Sequence, residues 1–308
     1  MGRYTLRRLL QLIPVFLGTT FLVYWLVWGL REDPFAGKCG QRECSPAFRA
    51  ALTERYNLDD PLIVQYLKYL GAVLTGDFGQ TFSGTEVSTL IADAYPITIK
   101  LAIVALVIEA VIGIIAGVVA GLRGRGFADT LVLVSTLFLI ALPVFVTGLV
   151  LRQVLGVDLG IIRTSVPANP SFAELIVPGF VLASLSMAYV ARLTRTSLIE
   201  NTRADFVRTA VAKGLPRRRV VGVHMLRNSL IPVVTFLGTD IGALMGGAIV
   251  TEGVFNIRGI GGLIYRGLQQ QDIATVVGVV ALLVIVYLVA NLVVDLLYAV
   301  LDPRIRYE

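Results

Sequence analysis

Few side chains in this sequence could do chemistry, and the two that stand out are carboxylates with apolar neighbours. Glu109 lies within "AIVALVIEAVIGIIAG" and Asp240 within "VVTFLGTDIGALMGG", each midway along a run long enough to cross a bilayer. A charge at that depth costs about 2.5–3.5 kcal/mol on insertion scales, so such a group is neutral, paired or turned towards a wet passage. Both are therefore candidates for a transport pathway. The two cysteines, Cys39 and Cys44, fall in "KCGQREC"; either they pair, since Gly40 lets the chain turn, or they stand as two thiols. The single histidine, His224, falls in a different segment, so no metal site is expected. The sequence contains no G-x-x-x-x-G-K-[ST] loop, no H-E-x-x-H and no G-x-S-x-G. No catalytic residue and no cofactor of its own are expected.

The elements that would hold these groups are membrane spans. Of 308 residues 56% are hydrophobic and 16% charged, with a mean hydropathy of +0.79. A helix needs about 20 apolar residues to cross roughly 30 Å of hydrocarbon. Such runs occur near Leu9–Leu30, Ile97–Leu122, Leu131–Leu155, Leu175–Leu193, Asn228–Val250 and Ala274–Val294, which predicts an all-α integral membrane fold of six spans. The first run follows Arg3, Arg7 and Arg8 but is too long for a signal peptide and lacks its exit, so an uncleaved span is expected. Most Lys and Arg then fall on the side of the N-terminus, and both termini belong in the cytoplasm. The net charge of +6 reflects that bias and gives no reason to expect nucleic acid. The expected organisation is a first span plus large extracytoplasmic loop over 1–94, a transmembrane domain over 95–299 and a cytoplasmic tail over 300–308.

The outer segment Arg31–Pro96 is long enough to have structure of its own. Ser45-Pro46 and Asp59-Asp60-Pro61 read as helix starts. After the second, Leu62, Tyr66, Leu67, Tyr69, Leu70 and Leu74 form an apolar stripe, with Gln65 and Lys68 off it, expected to pack on the outer ends of the spans. Gly113, Gly117 and Gly121 in the second span, and Gly238, Gly242 and Gly246 in the fifth, repeat every four residues and predict two close-packing helix faces. Pro143, Pro178 and Pro232 interrupt or open spans.

Between the fourth and fifth spans lies "NTRADFVRTAVAKGLPRRR". Asn201 and Thr202 offer a cap, Ala204, Phe206, Val207, Ala210 and Val211 recur at helical spacing, and Gly214 supplies a stop. The helix would be about 16 Å long at 1.5 Å per residue, too short to span. Arg203, Arg208 and Lys213 give it a polar side. The pattern alone fits a solvated interfacial helix as well as a docking element.

A resemblance separates the two. "ARLTRTSLIENTRADFVRTAVAKGLPRRRVVGVHMLRNSLIPVV" resembles the cytoplasmic signature of ABC-importer permease subunits in the dipeptide, oligopeptide and nickel branch. "GGAIVTEGVFNIRGIGGLI", "NLVVDLLYAVLDPRIR", "ALPVFVTGLVL" and "YNLDDPLIVQYLKYL" are similar to that branch too. Arg208, Thr209 and Ala210 stand where the wider family has Glu, Ala and Ala, in the R-T-A-x-A-K-G form of the peptide branch. Arg258-Gly259 replaces the usual Pro-Gly. The resemblance implies a type I ABC importer permease fold in the inner membrane, paired with a second, similar permease subunit and two ATP-binding subunits that hold ATP and Mg. An extracytoplasmic binding protein would deliver di- or oligopeptides. It also implies that Arg203, Ala204, Phe206, Val207, Arg208, Thr209, Ala210, Val211, Lys213 and Gly214 form the coupling helix, with Phe206, Val207, Ala210 and Val211 as its apolar contact. The outer segment Arg31–Pro96 and Glu252–Gln270 would be the faces offered to binding protein or cargo. An ion-driven secondary transporter would instead show inverted repeats, and a membrane scaffold would leave the coupling signature without a role.

Overall fold

A computed structural model describes residues 2–29, 44–81, 83–124 and 126–301. The described chain is helical apart from turns, loops and one isolated bridge, Gln80 to Glu86. It divides into two compact units, Met1–Pro96 with Arg258–Glu308, and Ile97–Ile257. By length and composition four helices can cross a membrane, or up to six if each of two bent pairs counts as one span.

In the first unit, α1 (Gly2–Tyr24) runs on through a π-turn, Trp25–Gly29. It packs along α13 (Ile273–Leu301). Helix α2 (Pro46–Tyr56) starts as the Ser45-Pro46 pair predicts, with the Phe48 N–H donating to Ser45 Oγ at 3.3 Å. It ends on Asn57 in the left-handed region. Helix α3 (Leu62–Leu74) is capped differently from the sequence expectation, because Pro61 itself occupies the cap position and no side chain caps it. The Asp60 carboxylate is engaged by Lys68 Nζ at 2.5 Å instead.

Helix α3 packs its aromatic side against α1 and α13, joining Tyr24, Tyr66, Ile273 and Val277 in one cluster. Tyr66 Oη lies 2.9 Å from Thr20 Oγ1, and Tyr69 Oη donates to the Val277 carbonyl at 3.1 Å. The buried stripe is rotated from the one the sequence suggests. Gln65 is buried, donating to the carbonyls of Asp60 and Leu58, whereas Leu67 and Leu74 are exposed. A polar side chain that satisfies two backbone acceptors can be buried where a leucine would leave them orphaned. Helix α12 (Ile260–Gln269) completes this unit against α13.

The second unit is built around α7 (Ile176–Thr202), which packs against α5 (Phe127–Ala141), α6 (Val144–Leu151) and α11 (Ile231–Val254). Helix α4 (Val87–Leu122) enters this unit from Ile97 onward. At about 1.5 Å per residue it is far longer than a bilayer core requires. The third apolar run is broken rather than straight. Leu142 is extended ahead of Pro143, as a residue before proline prefers, and the two halves meet at 101°. The fifth begins with α9 (Arg217–Arg219), a π-turn (Val220–Met225) and α10 (Leu226–Ser229), bent by 41° from α11.

The α4 glycines make a close-packing face on α7. A Cβ at Gly117 would lie 2.5 Å from the Ala191 carbonyl oxygen, one at Gly113 2.7 Å from Val190, and one at Gly121 3.0 Å from Leu198. Two of the three α11 glycines do not do this within the chain, which corrects the sequence expectation for them: a Cβ at Gly238 or Gly246 would meet nothing within 4 Å, while Gly242 is buried. Four-residue spacing marks a smooth face, but only a neighbouring backbone makes it a contact. Cys39 lies outside the described residues, and with it the proposed pairing to Cys44, which is itself buried.

Candidate functional site

The signature segment between α7 and α9 folds into a short helix with one side already taken. Asn201 and Thr202 belong to the last turn of α7, where Asn201 Nδ2 donates to the Ser197 carbonyl and Ser229 Oγ and the Thr202 hydroxyl to the Leu198 carbonyl. They are not the cap of the next helix, as the sequence suggested. Arg203 closes α7, Ala204 takes the extended cap position, and α8 runs over Asp205–Ala212, about 12 Å. Lys213 follows, and Gly214 has φ +73°, the left-handed exit that favours glycine. The Leu215 N–H then bonds back to the Ala210 carbonyl at 3.3 Å, closing the helix end.

Val207 and Ala210 are buried against Leu198, Val220 and Met225, with Leu215 packed beside them. The expected apolar contact set therefore divides. Val207 and Ala210 fix α8 to the end of α7 and to the π-turn, and only Phe206 and Val211 remain as exposed apolar groups, Val211 at 61%. The polar face is outward as expected: Arg203, Arg208, Thr209 and Lys213 are exposed, with Arg208 3.6 Å from Asp205 in a surface pair of little energetic weight. Arg217, Arg218 and Arg219 are exposed next to it.

The two intramembrane carboxylates meet. Glu109, on α4, is fully buried and lies against Asp240 of α11. Beyond this contact, neither Glu109 oxygen nor Asp240 Oδ2 has a hydrogen-bond partner among the described residues. The two carboxyls are hydrogen-bonded to one another, which requires that one keep its proton and donate it. Asp240 also lines a cleft of about 470 Å³ whose other walls include Val144, Phe145, Leu185 and Leu244.

Three further anchors escaped sequence reasoning. Thr98 Oγ1 donates to the buried Glu252 carboxylate at 2.8 Å. Arg152 Nη1 donates to the Val254 carbonyl at 2.6 Å, a cation at the end of α11 as the helix dipole favours. Asp129, 3% exposed, is held by Arg195, whose Nη2 lies 2.8 Å from Oδ2. Arg152 was visible only as a charge near a span end, and its partner is a carbonyl that no sequence pattern marks. The corner Glu252–Ile257, part of the face expected to meet a binding protein, is largely core: Glu252, Phe255 and Ile257 are fully buried.

Residues 113–307 match the family described as binding-protein-dependent transport system inner membrane component, and residues 1–102 match its N-terminal region. The chain belongs to this family. It is 36% identical over 317 residues to the oligopeptide transport system permease protein AppB of Bacillus subtilis, covering all of both chains. It is 33% identical over 338 residues to the dipeptide transport system permease protein DppB of Escherichia coli K12, and 37% identical over 309 residues to the glutathione transport system permease protein GsiC of Salmonella paratyphi A, again covering all of each. As an inner membrane component of this family it is a multi-pass protein of the cell membrane, and the family is one of transport permeases, not of catalysts.

Proposed function

We propose that this chain is the transmembrane subunit of an ATP-driven importer, forming a passage for di- or oligopeptides together with a second, similar permease subunit. Extracytoplasmic binding protein would deliver the cargo, and two ATPase subunits would drive the cycle. Both termini lie in the cytoplasm on this reading, with each bent pair counted as one of six spans of a type I fold. The names of full-length relatives support a peptide cargo. Glu109 and Asp240 are assigned to the passage.

The observation that carries the proposal is the division of α8. Val207 and Ala210 fasten α8 to its own chain, while Phe206 and Val211 stay exposed among Arg203, Arg208 and Lys213, which supports a docking face. A part that passes motion from an ATPase needs both: a rigid root in its own chain and an apolar, basic outer face for the neighbour. Co-purification tests it. Replacing Phe206 and Val211 by Glu should release the ATPase subunits from the membrane complex while the chain stays folded. Retention of the ATPase pair by that double variant would refute the assignment.

A further inference from the structure

We propose that α3 is a membrane-boundary helix, sunk into the leaflet at the C-terminal end of α1 with the edge formed by Ile63, Leu67 and Leu74 against lipid acyl chains. The inference rests on the chain being a multi-pass membrane protein and not on its part in transport. Two neighbours measure the depth. Leu62 stands level with Gly29, the end of the apolar stretch Thr5–Gly29, where a Cβ on the glycine would lie 3.4 Å from Leu62 Cδ2. Tyr66 reaches further in. Its ring lies 5.1 Å from that of Phe21 and 5.8 Å from that of Tyr24, and its hydroxyl donates to the Leu17 carbonyl at 3.1 Å. At 1.5 Å per residue, Tyr24 and Phe21 are about 7–12 Å short of Gly29. On α13, whose apolar stretch begins at Ile273, the Tyr69 hydroxyl meets the Val277 carbonyl about 6 Å from that start. Both depths fall near the roughly 5–10 Å to which the apolar side of an interfacial helix is buried.

The side chains of α3 sort in three directions. Leu62, Tyr66 and Tyr69 turn to α1 and α13. Gln65 and Lys68, its only amide and charged side chains, share a second edge, where Lys68 Nζ also donates to Asn57 Oδ1 at 3.1 Å. Ile63, Leu67 and Leu74 make the third edge and are 64%, 57% and 73% exposed. A helix resting on protein with water around its remaining surface would carry polar groups on both free edges, whereas α3 carries them on one. That asymmetry orients it, with the lysine edge to head groups and water and the aliphatic edge to hydrocarbon. The aliphatic edge also continues a surface of the same kind, because Leu22, Trp25 and Leu26 of the adjoining span are exposed, and Trp25 marks the level at which indole rings collect. A protein partner suits the edge less well, since it offers no aromatic or arginine anchor of the sort that centres such interfaces.

Photocrosslinking tests this in membranes of cells that make the chain with its native partners. Benzoylphenylalanine is placed at Leu67 or Leu74, at Leu22 as the lipid-facing reference, and at the exposed Asp59, just before α3, as the water-facing one. After irradiation, mass spectrometry should find phospholipid adducts at positions 67 and 74 within about threefold of the yield at 22, and about tenfold less at 59. Attachment of positions 67 and 74 to another protein in place of lipid, or a lipid yield no higher than at 59, overturns the proposal. The double variant Ile63→Gln with Leu67→Gln gives a second reading, by amide exchange of the full chain in phosphatidylcholine nanodiscs. With hydrocarbon over the edge the two amides are stripped of water, so exchange in α3 should quicken about tenfold while α1 and α13 keep their protection. Unchanged exchange in α3 means that water already covers the edge, and it refutes the assignment.

Discussion

Replacing Gly214 by valine isolates the backbone at the exit of α8 from everything around it. The residue sits at φ +73°, yet a Cβ there would meet nothing within 4 Å. The Cβ itself meets no clash, and the penalty that follows from the backbone is conformational. An L-residue in the left-handed region costs about 1–2 kcal/mol, with β-branched residues at the upper end and asparagine well below it. The chain can escape that cost only by reshaping the turn, which would draw Leu215 out of its contact with the Val207 and Ala210 cluster and change where the helix stops. Since about 1.4 kcal/mol is a factor of ten in an equilibrium, the aligned form of the exit should fall about tenfold in population. On the proposed function, Gly214→Val in proteoliposomes holding the assembled importer should lower uptake about tenfold at near-normal ATP hydrolysis, with Gly214→Ala intermediate and Gly214→Asn nearest to the parent. Wild-type uptake by the valine variant, or an order set by side-chain size with asparagine below alanine, would refute the reasoning.

Other outcomes follow from the same packing. Val207→Ala removes two buried methyl groups, about 1.6 kcal/mol at ~0.8 per group, and should lower the unfolding midpoint of the solubilised chain. Gly117→Val should destabilise it by about 1–3 kcal/mol, because the new side chain must displace the Ala191 carbonyl, whereas Gly238→Ala in the isolated chain should be neutral or slightly stabilising. Tyr56, in the short helix α2, has its phenol pushed up to about 12 by burial, partly offset by Arg55. The folded state holds the proton that the unfolded chain gives up near pH 10, so this contribution is fully present below about pH 10 and is lost as pH rises towards about 12. Tyrosinate absorbance should then appear for Tyr56 only as the chain unfolds; titration of Tyr56 near pH 10 in the folded protein would exclude the burial effect.

Legibility from sequence depended on whether a feature was local. The Ser45-Pro46 start of α2 and the stop at Gly214 were readable because cap and turn chemistry act within a few residues. The glycines of α4 were readable as a smooth face, and so were those of α11; spacing could not say that the first set meets α7 while Gly238 and Gly246 meet open space. In α8 four apolar residues looked equivalent, and only the position of Leu198, at the end of another helix, decides that Val207 and Ala210 turn inward. The meeting of Glu109 with Asp240, and of Thr98 with Glu252, joins residues far apart in the chain, where no periodicity links them. Gln65 went astray for a related reason: its burial depends on two carbonyls just before its own helix that a hydropathy pattern treats as water-facing.

The contact of α4 with α7 is thinly upholstered. At Gly117 the α4 main chain rests on the Ala191 carbonyl and the β-branched Thr194, and Val190 and Leu198 close over Gly113 and Gly121, so few free rotamers remain to absorb a slide or a tilt. Two rods seated in this way shift as a single strut. Whatever rearrangement this half of the molecule undergoes must be taken up where its helices are already broken, at the corner before Pro143 and at the knee near Leu230.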